Sequence, residues 1–149
     1  MKLLEDHFST KEKRQLVDAI EEAENLTSGE IRIYFERSCE EDPFERGKKI
    51  FEKLGMHRTQ LRNGVLFYIS LADHKFAIVA DKGINDEVPD GFWQDIRDEM
   101  RKRFREVSIL DGMKYGIKEA GEQLSTYFPI QADDKNELSN ELLFHDEEE

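Results

Sequence analysis

The chain has 149 residues, 38% of them charged, and a formal charge of −12. That length fits one domain with a usable core, burying about 70% of its unfolded surface, and argues against two folded domains. The acidic balance disfavours non-specific nucleic-acid binding, which depends on a basic surface.

The first residues, "MKLLEDHFSTKEKRQ", lack the apolar run of a signal peptide, and no later stretch approaches the roughly 18 apolar residues of a membrane span, so a cytoplasmic location is expected. Cys39 is the single cysteine and reads as an ordinary reduced thiol.

Ser9 followed by Glu12 forms a capping-box pattern and opens a first predicted helix, with Leu16, Ala19, Ile20 and Ala23 along its inward stripe and "TSG" ending it. "EIRIYFERS" alternates Ile31, Ile33 and Phe35 with Arg32, Tyr34 and Glu36, the period of a strand covered more heavily on one face. In "DPFERGKKIFEKLG", Asp42 is placed to cap, Pro43 suits the first helical turn and Gly55 stops the helix.

"GVLFYI" is a continuous apolar run of strand length, as expected for a central strand buried on both faces. "SLADHK" is short enough for a hairpin connection, so "FAIVA" is predicted to return antiparallel. "VPDGFWQDIRDEMRKRFRE" then sets Trp93, Ile96, Met100 and Phe104 on one helical face. A last helix, "LDGMKYGIKEAGEQLSTYF", carries Met113, Ile117, Ala120 and Leu124 at similar spacing, with Pro129 as its stop. Its glycines 112, 116 and 121 are costly in a helix interior, which close packing against the sheet would explain.

These elements predict an α/β fold: a mixed central β-sheet, built from a right-handed βαβ unit plus an antiparallel hairpin strand, between helices in a Rossmann-like three-layer arrangement. The domain is placed at residues 1–130. Residues 131–149 are rich in acids and read as a flexible tail, in which "LSNELLF" could form a brief helical turn.

A tight hairpin sets residue 69 against about residue 76, and so puts Asp81 roughly opposite Gly64, at the edge where Glu30 begins the first strand. Glu30, Arg62, Asn63, Asp81 and Lys82 become predicted neighbours on one rim, with Asp86 close behind. Glu30, Asn63, Asp81 and Asp86 offer the hard oxygen ligands that calcium or magnesium takes, and glycines 29, 64 and 83 would let backbone come close. Arg62 and Lys82 could hold the phosphate of a substrate bridged to that ion. The same residues also read as ordinary strand-end polar groups, with Glu30–Arg62 or Asp81–Lys82 as surface ion pairs worth no more than about 1 kcal/mol.

"SGEIRIYFE", "RNGVLFYIS", "FAIVADKGI" and "GIKEAGEQLSTYFP", in this order, resemble the TPM domain family over about residues 7 to 129. The resemblance implies a mixed sheet packed between helices, divalent-cation binding and, in some members, phosphatase activity. The positions that match are Gly29-Glu30, Asn63-Gly64 and Gly83. The chain departs from many members in having Asp81-Lys82 before Gly83 in place of Gly-Tyr, and Glu30 in place of Gln. It looks like the stand-alone, soluble bacterial type.

His7, His57, His74 and His145 show no zinc spacing and read as solvated loop or terminal residues. No nucleophile elbow is present, so the chemistry expected is metal-assisted hydrolysis of a phosphate ester or none. The basic stretch of residues 97–105 raises a further possibility, that the acidic tail folds onto it. The alternative to a cation-binding protein is a non-enzymatic interaction module with an unidentified protein partner and a regulatory acidic tail.

Overall fold

The computed structural model of the chain describes residues 4–130 and 142–145. Helix α1 (Thr10–Glu24) begins at Ser9, where both halves of the capping box form: Ser9 Oγ accepts from the Glu12 N–H at 3.0 Å and the Glu12 carboxylate accepts from the Ser9 N–H at 2.8 Å. Strand β1 (Glu30–Glu36) leads to α2 (Pro43–Lys53), which starts at the Asp42 cap with Pro43 in its first turn. Gly55 follows α2 in the left-handed region at φ 72°, where glycine carries little steric penalty. Next come β2 (Gly64–Ser70), β3 (Lys75–Ala80), a one-turn helix α3 (Lys82–Asn85), α4 (Phe92–Glu106), α5 (Ile109–Leu124) and a short strand β4 (Leu143–His145).

The sheet order is β3-β2-β1-β4. Strands β1 and β2 are parallel, with Glu30 opposite Gly64 and Glu36 opposite Ser70, and β3 returns antiparallel with Ile69 opposite Phe76. This is the expected βαβ unit and hairpin in the expected register.

Alternation along the strands divides the core into two layers. Tyr34, Leu66, Tyr68 and Val79 meet Ile50 and Phe51 of α2 on one face. Ile31, Ile33, Phe35, Val65, Phe67 and Ile78 meet α1, α4 and α5 on the other. Both faces of β1 are therefore covered, more evenly than its alternation implied.

Three further expectations are corrected. The glycines of α5 pack against helices and not against the sheet: a Cβ at Gly112 would strike the Phe104 ring, one at Gly116 would strike Met100, and one at Gly121 would strike Ala23. The glycine that lets a helix approach the sheet is Gly47 of α2, where a Cβ would lie 2.8 Å from Val79 Cγ2. Helix α5 also ends at Leu124, ahead of Pro129, because the chain turns there to pair with the segment before β1: the Phe128 carbonyl accepts from the Ser28 N–H at 2.8 Å and from the Thr27 hydroxyl.

The third correction concerns "LSNELLF", whose described end forms a strand and not a helical turn. Tyr34, Phe35 and Glu36 pair in parallel with Leu143, Phe144 and His145, giving the outer edge of β1 a hydrogen-bonded partner, and the Phe144 ring stacks on Phe35 at 5.0 Å. The rest of the proposed tail, residues 131–141 and 146–149, lies outside the described residues, and so does its docking on residues 97–105.

Candidate functional site

The segment before β2 runs from Thr59 to Asn63. It is closed by a 3.2 Å bond from the Arg62 N–H to the Thr59 carbonyl and by another of 3.2 Å from the Asn63 N–H to Thr59 Oγ1. Arg62 sits at φ 51°, in the left-handed region that a bulky residue occupies only when its surroundings hold it there. What holds it is visible. Its carbonyl accepts from the Gly83 N–H at 2.9 Å, and its side chain reaches across to β3.

At the end of β3 the Asp81 N–H donates to the Gly64 carbonyl at 3.0 Å, confirming the predicted opposition of these residues. Glu30 joins the same edge, its N–H donating to the Asn63 carbonyl at 3.1 Å. Glu30, Asn63 and Asp81 are all buried. Register places Glu30, Gly64 and Asp81 on one face of the sheet, and the turn Met56–Arg58 fills the space over Gly64 between them: a Cβ at Gly64 would lie 3.1 Å from the Met56 carbonyl oxygen.

Asp81 is fully engaged. Arg62 donates to both of its oxygens, Nε at 2.7 Å and Nη2 at 2.8 Å, and Oδ1 also accepts the Lys82 N–H at 2.7 Å to cap α3. The hydrogen bonds and the charge of Asp81 push the Arg62 pKa above its ordinary value. The pair is asymmetric, since the Asp81 side chain is 5% exposed and that of Arg62 is 47% exposed. The guanidinium lies over a buried carboxylate from the solvent side.

The ion pairs at the rim thus differ from both pairs the sequence suggested. Arg62 takes Asp81, and Lys82 takes Asp86 at 2.8 Å in an exposed pair one helical turn apart. The structure gathers Glu30, Arg62, Asn63 and Asp81 at one edge and leaves Lys82 and Asp86 on its outer surface. The Asn63 amide Nδ2 donates to the Ser28 carbonyl at 3.1 Å, which directs Oδ1 elsewhere. Among the described residues, no group of three or more His, Cys, Asp or Glu side chains is close enough to hold a metal ion. A polar pocket of about 400 Å³ opens beside Asp81, with Lys48, Lys49, His57 and Arg62 on its walls.

Of the three rim glycines, Gly83 is the one whose bareness the fold requires most. A Cβ there would lie 2.2 Å from the Leu61 carbonyl oxygen and 2.6 Å from that of Arg62, whereas one at Gly29 would meet nothing closer than 3.6 Å.

The opposite end of the sheet holds a polar cluster that sequence reasoning missed. Glu36 is buried, yet its carboxylate accepts from Arg46 Nε at 3.0 Å and Nη2 at 2.7 Å, from the Tyr68 hydroxyl, and faces His145 Nδ1 at 2.9 Å. Burial pushes the Glu36 carboxyl up, but the bonds from Arg46, Tyr68 and His145 outweigh it and leave its pKa below the ordinary value. Tyr68 is raised, first by its own burial and then by its interactions with Cys39 and Glu36. His145 is therefore a part-buried strand residue, not the solvated terminal group expected. The available signals were a glutamate closing the first strand and a tyrosine inside "GVLFYI". Cys39 is buried and free, and its Sγ bonds to the Glu41 carbonyl at 3.2 Å.

Comparison with known proteins follows the same outline. The family model described as the TPM domain matches residues 4–123. The BA42 protein of the psychrophilic bacterium Bizionia argentinensis, solved by NMR, is 41% identical with a TM-score of 0.90, over 97% of this chain and 100% of that one. Two further NMR structures share the fold at low identity. The N-terminal domain of a protein from P. gingivalis is 16% identical, with a TM-score of 0.67 over 81% of this chain and 78% of that one. The N-terminal domain of the cg2496 protein from Corynebacterium glutamicum is 10% identical, with a TM-score of 0.63 over 95% of this chain and 84% of that one. No curated protein matches the chain. Among the described residues, no helix is long and apolar enough to cross a membrane.

Proposed function

The chain belongs to the TPM domain family, and from that premise we propose that its rim takes up a divalent cation, calcium or magnesium, in exchange for the Arg62 guanidinium. The observation that supports this reading is the Arg62–Asp81 pair. A carboxylate with 5% of its side chain exposed is costly unless a cation compensates it, and the cation present is a half-exposed side chain that can leave without unpacking the core. Asp81 is the donor that would hold the ion, an oxygen as these hard cations require; Glu30 and the Asn63 amide oxygen join it only once the Met56–Arg58 turn moves off Gly64 and the Asn63–Ser28 bond opens. Asp86 joins them only by giving up Lys82.

A bound ion of this kind supplies charge that polarises a phosphoryl oxygen. Arg62, once off Asp81, presents its guanidinium at the mouth of the pocket that Lys48 and Lys49 also line, where it can hold an anionic ester in bidentate fashion. Hydrolysis of a phosphate ester is therefore the second reading of the same site.

The test is a titration of calcium, then magnesium, into isotope-labelled metal-free chain, followed at backbone amides. Saturable shifts are expected at residues 62–64 and 81–83. Arg62→Ala should tighten binding by about tenfold, because the fraction of chains with Asp81 open rises, and Asp81→Asn should abolish it. Shifts confined to exposed acidic residues, or an Arg62→Ala variant that binds no tighter, would remove the reading and leave the protein-interaction module in its place. Turnover of p-nitrophenyl phosphate that disappears with Asp81→Asn would extend the site from binding to hydrolysis.

A further inference from the structure

At the other end of the sheet, a cleft of about 700 Å³ opens between the β2–β3 hairpin and the corner where α4 meets α5. Its volume falls within the roughly 300–1,000 Å³ of pockets that enclose small ligands. It lies outside the carboxyl end of β2, where open α/β sheets commonly place ligands, and the rim around Asp81 lies at the opposite end of that strand.

The cleft has two chemistries. Its wall is apolar, formed by Ile69, Phe76 and Phe104, with the last two rings meeting edge-to-face at 5.0 Å. Its mouth is cationic, carrying Lys75, Arg101 and Arg105, a local reversal of sign on a chain with a formal charge of −12. Two of these cations are held in place by neighbours. Lys75 Nζ donates to the Cys39 carbonyl, a neutral acceptor, at 3.0 Å, and the Arg101 guanidinium lies 5.5 Å from the centre of the Phe76 ring. Arg101 also contacts Asp98 at 3.3 Å, but that pair is more than half exposed on both sides and therefore weak. Arg105 stands exposed one turn further along α4.

We propose that this cleft binds an amphiphilic carboxylate, its apolar body against Ile69, Phe76 and Phe104 and its single negative charge on Lys75, Arg101 and Arg105. A planar carboxylate suits the arginine fork. Asp98 beside Arg101, and Asp73 bonded to Ser70 and to the Cys39 N–H, put negative charge close to the mouth and favour a monoanion over a doubly charged phosphate.

The test uses decanoate, decanol and acetate, each titrated into the isotope-labelled full chain below the concentration at which decanoate self-associates. Decanoate should give saturable shifts at the Ile69 methyls and the Phe76 and Phe104 rings. Decanol should bind about tenfold more weakly and acetate should leave those signals unmoved. The double variant Arg101→Gln, Arg105→Gln should weaken decanoate by about tenfold while its urea midpoint stays at the wild-type value. The proposal is overturned by decanol binding as tightly as decanoate, or by shifts spread over the whole surface without saturation. It is overturned equally if decanoate enters only after Asp146, Glu147, Glu148 and Glu149 are replaced by amides, since the chain's own acids would then be the occupant. Cleft signals that move with protein concentration alone would make a second copy the occupant and overturn it too.

Discussion

A side chain at position 83 has nowhere to go, because two backbone carbonyls stand within 2.6 Å of where its Cβ would be. Gly83→Ala must therefore move backbone, and an overpacking cost of about 3 kcal/mol is expected in urea unfolding. The same shift pulls the Thr59–Asn63 turn off β3, so cation-induced amide shifts at residues 63 and 64 should weaken in that variant. Glu36 gives a second prediction, in pH. Its folded pKa lies below the ordinary 4.5, so its contribution to stability is present above that value and is lost as pH falls through the folded pKa. Glu36→Gln should cost about 3 kcal/mol at pH 7, and its unfolding free energy should converge on that of the wild type as pH is lowered toward about 2. A difference that stays constant with pH would show that the carboxylate charge is not what holds Arg46, Tyr68 and His145 together. That Glu30, Arg62, Asn63 and Asp81 share one edge was legible in the sequence, because strand period and hairpin length fix register. Which side chain took which partner was not. Lys82 turns away to Asp86 because α3 puts them four residues apart on one helical face, and a segment read as loop gave no reason to expect that.

Among elements, those with strong local signals were read correctly: the Ser9 and Asp42 caps, the apolar run of β2, and the stripe of α5. Strand β4 was not, since three residues are too few to show a period. Its pairing depends on an edge of β1 that exists only after the sheet has formed. A chain ending at residue 141 should keep its helical circular dichroism but lose the partner of Tyr34, Phe35 and Glu36, leaving an unpaired apolar strand edge. Concentration-dependent self-association in sedimentation is the expected result, and a strictly monomeric truncated chain would show that the edge is protected by something other than β4. The α5 glycines make a related point. Their cost was visible in the sequence, but whether a helix or the sheet would press against them is decided by layer order, which the local pattern does not carry.

Across the whole molecule, the three layers follow from run lengths and periodicity, and that much of the fold was available in advance. The distribution of charge was less so. A formal charge of −12 coexists with a cationic cleft mouth at one end of the sheet and an arginine seated on a buried carboxylate at the other. Self-repulsion among surface acids should be relieved by salt. Raising ionic strength across the range where the screening length falls below about 10 Å should raise Tm by about 3 °C. A fall in Tm would mean that attraction in pairs such as Arg46–Glu36 outweighs that repulsion.

Strand β4 also imposes an order of events in time. Glu36 and His145, which meet at the end of the β1–β4 ladder, are separated by 109 positions in the chain. At about 5–20 residues per second, translation takes roughly 5–20 s to cover that interval, and throughout it a growing chain has β1 with one edge open. Between Glu36 and Leu143 the ribosome delivers α2, β2, β3, α3, α4 and α5, so the two core layers can assemble before β4 covers the end of that outer edge. Strand β4 then docks along Tyr34–Glu36, and until it does a chaperone or a neighbouring nascent chain can pair with that stretch of β1 first.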